Sequence, residues 1–228
     1  MPLTLVQTDD STRSPDALLA QRIAQGDRRA LEALMRRYNQ RMYRVARSIL
    51  RNEADAEEAV QEAFYKAYRS IAAFRGDAAL STWLVSIVVN ESKGRLRKVN
   101  RLATWLEYSG DSPDALRQSN MAEHSSFDPE PAVAGRETLK HLEVCIDRLP
   151  DTYRAVFILR AVEELNVEET ASCLGIPAAT VRSRYFRARN LLRKSLKTDV
   201  GPKAGGVFSF AGSRCDRIVA GVMARLSA

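Results

Sequence analysis

The sequence predicts an all-α fold: two small helical domains joined by a flexible acidic linker. Apolar residues recur at three- and four-residue steps along most of the 228-residue chain, and no stretch alternates β-branched residues convincingly. The composition changes sharply after Leu106, where residues 107–131 turn to Ser, Asp, Pro and Gly and lose the apolar period. A helix–glycine–helix unit then closes a second patterned block. These breaks divide the chain into a disordered leader (1–15), a helical block (16–102), the linker (103–136), a second helical block (137–198) and a tail (199–228).

Each element follows from its periodicity. Asp16 is placed to cap a helix from Ala17 to Gln25, which Gly26 and Asp27 interrupt. A long helix over 28–50 carries Leu31, Leu34, Met35, Tyr38, Met42, Val45 and Ile49 on one side. The next, over 54–71, turns Ala56, Ala59, Val60, Ala63, Phe64 and Ala67 inward. Residues 74–77 read as a turn. A fourth helix, over 81–101, is apolar through Trp83, Leu84, Ile87 and Val88, then basic through Lys93, Arg95, Arg97, Lys98 and Arg101. In the linker, Glu107, Asp111, Asp114, Glu123, Asp128 and Glu130 outweigh Arg117. Helical patterning resumes through Leu139, Leu142, Ile146 and Leu149, and Pro150 starts a helix with Tyr153, Val156, Phe157 and Leu159 inside.

The last helix pair carries the strongest functional signal. Val167, Ala171 and Leu174 give the first an apolar face, Gly175 supplies the backbone freedom to end it, and Pro177 suits the start of the second. Val181, Tyr185, Ala188 and Leu192 mark the buried side of that second helix. Its open sides carry Arg182, Arg184, Arg187, Arg189, Arg193 and Lys194, with no acid between Ala178 and Thr198. A solvated surface helix mixes signs to make i,i+4 pairs, and this one makes none. The unit is a helix-turn-helix whose second helix is built to enter a major groove. A net charge of +7 favours the same polyanionic partner.

Composition argues against other classes. No apolar run reaches the length of a membrane span, and the N-terminus lacks a basic start and apolar core, so a cytoplasmic location without membrane insertion is expected. Cys145, Cys173 and Cys215 are scattered and only His124 and His141 could join them, so reduced thiols and no metal site are expected. No glycine-rich phosphate loop and no patterned partner for either histidine is present, which points away from an enzyme and from a cofactor.

Two other segments call for a partner. Residues 53–62 hold Glu53, Asp55, Glu57, Glu58 and Glu62 and no base. DNA would repel this patch, so it suits a protein. Glu58, Gln61 and Glu62 share one helical face, a compact set of acceptors for arginines. Placement for the helix dipole accounts for Asp55 and Glu57 but not for Glu62. In the fourth helix, Trp83 reads equally as core or as a stacking platform for an unpaired base. Lys93, Arg95, Arg97 and Lys98 can neutralise phosphates beside it.

The segments DAEEAVQEAFYKAYRSI (55–71), FRGDAALSTWLVSIVVNESKGRLRK (74–98) and GIPAATVRSRYFRAR (175–189) resemble, in that order, regions 2.2, 2.3–2.4 and 4.2 of an extracytoplasmic-function (ECF) sigma factor of the sigma-70 family. The resemblance covers most of the two helical blocks. It implies a non-catalytic subunit that binds core RNA polymerase, recognises −10 and −35 promoter elements and promotes promoter melting. Asp55, Glu58, Gln61 and Glu62 would meet the clamp helices of the polymerase's largest subunit. Phe74 and Arg75 in the turn, with Trp83, Asn90, Lys93 and Arg97, would hold the −10 element of promoter DNA, Asn90 as the base reader. Thr180, Arg182, Ser183, Phe186 and Arg187 fall at −35-reading positions, with Arg184, Arg189 and Arg193 as phosphate contacts. An anti-sigma factor is a further implied partner.

The residues alone also admit a one-component helix-turn-helix regulator or an adaptor protein. A one-component regulator has no use for the acidic face or for the Trp83–Asn90 helix. The tail exceeds the family's usual length. In it Ser213 can cap a helix with Ile218, Val219, Val222 and Leu226 on one side. So short a helix is marginal alone and must dock, most simply on the chain's own domains.

Overall fold

The computed structural model describes residues 15–76, 78–108, 133–196, 207–208, 210 and 212–227. The first half comprises α1 (Pro15–Ala24), α2 (Arg28–Leu50), α3 (Glu53–Ser70) and α4 (Leu80–Tyr108). The second comprises α5 (Val133–Asp147), α6 (Asp151–Phe157), α7 (Val167–Leu174) and α8 (Ala178–Leu196), and the tail forms α9 (Gly212–Arg225). Ile71–Ala73 adds a 3₁₀ turn after α3, and Ile158–Val162 a π turn after α6. No strand occurs among the described residues. None of the helices there is long and apolar enough to cross a membrane.

Side chains set the helix ends. Asp27 caps α2 by accepting from the backbone N–H groups of Arg29 and Ala30, and these bonds with Arg22 hold its carboxyl below the ordinary value. Asn52 caps α3 through the N–H of Asp55. Asn166 and Glu169 form a reciprocal capping box at the start of α7. Gly175 ends α7 at φ 63°, a left-handed conformation that costs glycine little. Asp16 corrects its expected role. Pro15 takes the first helical position, so Asp16 lies inside α1, and its carboxylate accepts from Arg37 at 2.6 Å and from Tyr38 at 2.5 Å. The segment expected to be linker is helical at both ends, through Tyr108 and from Val133. Its acidic stretch, the leader through residue 14 and the tail glycines Gly201, Gly205 and Gly206 lie outside the described residues.

The first half packs α2, α3 and α4 around Leu34, Met42, Phe64 and Leu84. In the second half α5, α6 and α8 close over Ile146, Phe157, Ala188 and Leu192. The two halves are also packed on each other. Val156, Leu159, Cys173, Leu174 and Val181 belong to the same apolar cluster as Val45, Ile49 and Leu84. Polar clips close the seam: Arg47 meets Asp147 at 2.9 Å, Arg51 meets Asp151 at 2.7 Å, and Thr82 donates to Glu169 at 3.0 Å. Arg41 donates to Glu163 at 2.8 Å, and burial raises this carboxyl above its ordinary value despite the arginine. Burial also pushes the Cys173 thiol up to about 11, which leaves it an inert core group.

Arg154 holds the seam at its centre. Its side chain is wholly buried, and it donates to the carbonyls of Ser48 at 2.5 Å and Leu149 at 3.1 Å and to Asp151 at 2.8 Å. Arg154→Ala is expected to lower the free energy of unfolding by about 3 kcal/mol, since it strands buried acceptors from both halves. Urea titration checks this against exposed Arg148→Ala, which should stay within about 0.5 kcal/mol of the parent.

Candidate functional site

The second helix of the helix-turn-helix, α8, divides cleanly between inside and outside. Val181, Ala188 and Leu192 are buried, and Tyr185 is half-buried with its ring 6.4 Å from that of Phe157. Outward stand Arg182, Ser183, Phe186 and Arg187, with Phe186 66% exposed although nothing in the fold requires an aromatic there. Arg182 reaches Glu168 of α7 at only 3.4 Å, and Arg187 reaches the Tyr153 hydroxyl at 3.4 Å. Both guanidiniums therefore sit at the surface on weak tethers. Thr180, Arg184 and Arg189 are half-buried along the edges of this face, and Arg189 lies 6.0 Å from the Tyr185 ring centre.

On α4, Trp83, Asn90 and Arg97 follow one another at seven-residue steps, two turns each, and so form one stripe. Phe74, from the turn before α4, sets its ring 5.3 Å from Trp83 at 48°. Both aromatics are half-buried, so each has an apolar root and an accessible edge. Asn90, Arg97 and Arg75 are exposed. Lys93 is not available to a ligand in this arrangement. Its ammonium donates to the Leu174 carbonyl at the end of α7, at 2.5 Å, and burial together with Arg97 pulls its pKa below the ordinary value.

On α3, Asp55 and Glu58 are exposed, and Glu58 pairs with Arg95 of α4 at 2.8 Å. Gln61 and Glu62 are half-buried beneath α9. Arg225 pairs with Glu62 at 2.8 Å, and the Gln61 amide lies flat against Gly221. The sequence counts Glu53 and Glu57 in the acidic patch but outside its arginine-binding face, yet Arg214 binds both, at 2.5 and 2.9 Å, and Arg217 binds Glu57 at 2.6 Å. Burial alone would raise the Glu57 carboxyl, but Arg217 and Arg214 hold it below its ordinary value. The available signal was the spacing of Arg214, Arg217 and Arg225 on one tail helix opposite an unpaired acidic row.

Two family models fit these surfaces. Sigma-70 region 2 matches residues 34–102, which hold α3 and the α4 stripe, and Sigma-70 region 4 matches residues 139–192, which hold the helix-turn-helix. The chain belongs to the sigma-70 family. Among named relatives, the ECF RNA polymerase sigma-E factor of Escherichia coli K12 is 34% identical over 188 residues, 80% of this chain and 94% of that protein. The RNA polymerase sigma-H factor of Pseudomonas aeruginosa is 32% identical over 186 residues, 82% of this chain and 96% of that one.

Among solved structures, the sigma factor RpoE bound to the anti-sigma factor NepR from Bartonella quintana shares 25% identity and a TM-score of 0.52, over 80% of this chain and 94% of that one. CnrH bound to the cytosolic domain of CnrY shares the fold at a TM-score of 0.54, with 24% identity over 80% of this chain and 97% of that one. This ECF sigma factor thus carries both family regions, and α9 lies beyond the residues either model matches.

The contrast between neighbours on α8 is testable by stability alone. Phe186→Ala should leave the unfolding free energy within about 0.5 kcal/mol of the parent, whereas Tyr185→Ala should cost more than about 1 kcal/mol. Thermal and urea unfolding of the two variants read the difference.

Proposed function

We propose that this sigma factor binds core RNA polymerase through Asp55, Glu58, Gln61 and Glu62 on α3, as a non-catalytic specificity subunit acting in the cytoplasm. In the complex, Arg182, Ser183, Phe186 and Arg187 read the −35 element, with Thr180, Arg184 and Arg189 at the rim. Arginine can read guanine bidentately and an aromatic edge can meet a thymine methyl. Phe74, Arg75, Trp83, Asn90, Lys93 and Arg97 hold the −10 element after its strands part. Stacking and phosphate neutralisation together can offset base extrusion, which costs a few kcal/mol, so melting needs no nucleotide hydrolysis. An anti-sigma factor is the proposed regulatory partner, in keeping with the structural relative RpoE from Bartonella quintana, solved in complex with the anti-sigma factor NepR.

The observation that carries this reading is the outward face of α8, where a 66% exposed Phe186 stands among arginines. A side chain so placed costs solvation without contributing to the core, and a DNA groove gives it a use.

Reconstitution with core polymerase tests the reading. The holoenzyme should initiate on a cognate promoter, and permanganate should find unpaired thymines at the −10 element. Asn90→Ala, at an exposed position, should reduce that reactivity about ten-fold while closed-complex binding through the −35 element persists. DNA binding that proceeds without polymerase and never yields unpaired thymines would instead mark a one-component regulator.

A further inference from the structure

We propose that the tail helix α9 is an intramolecular occupant of the polymerase-binding face of α3 and must leave before the core can seat there. This rests on the assignment of that face to core polymerase given above.

Three features of the contact support it. The first is charge: Arg214, Arg217 and Arg225 take up the carboxylates of Glu53, Glu57 and Glu62 at 2.5 to 2.9 Å. Arginines on a partner helix would need the same oxygens, and a charge-assisted pair satisfies them once. The second is space. A Cβ on Gly221 would lie 2.7 Å from Gln61 Oε1, so the tail backbone rests directly on the Gln61 amide and no second helix fits between them. The third is that the contact is built rather than incidental. Ile218, Val219 and Val222 are buried in the shared core, and Asn39 donates to the Cys215 sulfur at 3.0 Å. The Arg214 guanidinium stands 4.3 Å from the Tyr43 ring centre, and Arg225 stands 4.2 Å from that of Tyr65. Arg28 ties the end of α9 to α2 through the Leu226 carbonyl at 2.6 Å.

The same geometry lets the occupant go. A helix of this length is marginal when undocked, so α9 holds the face only while its partner surface is available. Because it is tethered, its effective concentration at the face is high, and core polymerase must compete against it. Asp55 and Glu58 lie outside the covered strip, the Glu58 side chain 66% exposed, and offer an open edge where the competitor makes first contact. The apparent affinity for core is then the intrinsic affinity scaled by the uncovered fraction.

The test uses the full chain. Fluorescence titration with core polymerase compares the parent with the triple variant Arg214→Ala, Arg217→Ala, Arg225→Ala, none of which lies in the polymerase-contacting set. The variant should bind about ten-fold more tightly. In parallel, hydrogen exchange on the unsubstituted protein should find the α9 amides protected in the free chain and unprotected in the holoenzyme. A third arm, Glu58→Lys, changes the open edge without touching α9 and should weaken core binding. Unaltered affinity for Glu58→Lys would reject the assignment of the face. If Glu58→Lys binds weakly while the triple variant gains nothing and α9 stays protected in the holoenzyme, the occupant proposal fails and the face assignment stands.

Discussion

A guanidinium with no exposed surface must find acceptors inside the protein, and Arg154 finds them on both sides of the seam between the halves. The last turn of α2 leaves carbonyls without intrahelical partners. Arg47 gives its carbonyl to the N–H of Arg51, and Ser48 gives its own to Arg154. The end of one half's core helix α2 is thus completed by a side chain from the other. Burial lowers the pKa of Arg154, yet Asp151 and the carbonyls keep the charge matched. The Arg47–Asp147 and Arg51–Asp151 pairs flank this point and fix the rotation of α2 against α5 and α6.

This seam has a consequence for the two surfaces proposed to hold DNA. On the proposed reading their targets are centred about 25 base pairs apart, roughly 85 Å along B-form DNA. In the free chain, α4 and α7 touch through Lys93 and the Leu174 carbonyl and through Thr82 and Glu169. A chain so folded cannot reach both elements, and the seam must part. Lys93 would then exchange a backbone carbonyl for a phosphate, and its depressed pKa in the closed chain reflects the cost of the site it leaves. The energy for opening has to come from contacts with polymerase and DNA, because a conformational shift is limited by differential binding.

Much of this was legible in the sequence. The helices of both halves follow from period 3.6, and the outward face of α8 follows from the absence of any acid in an arginine-rich helix. The ambiguity over Trp83 was real, for its ring is rooted against the core and Phe74 while remaining half accessible. What the sequence hid was the pairing of distant surfaces. Val45 and Ile49 belong to the same stripe of α2 as Met42, and periodicity cannot say that another domain shares it. The acidic row on α3 read as a face awaiting a partner's arginines, and the arginines that take up Glu57 and Glu62 are some 160 residues away on the same chain. Asp16 misled because a capping residue and a first-turn acid look alike until Tyr38 and Arg37 are placed beside it. The π turn at Ile158–Val162 has no sequence signature at all.

The free chain is closed across the Arg154 seam, and on the proposed reading it opens when polymerase and promoter bind. The most direct measurement is a pulsed electron–electron distance between spin labels at exposed Ala72 and Ser195, in a chain carrying Cys215→Ser so that only the buried native thiols remain. A closed free chain gives one narrow distance, and the complex with core polymerase and promoter gives a clearly longer one. A broad distribution in the free chain, or a distance unchanged in the complex, would contradict closure and opening across the seam.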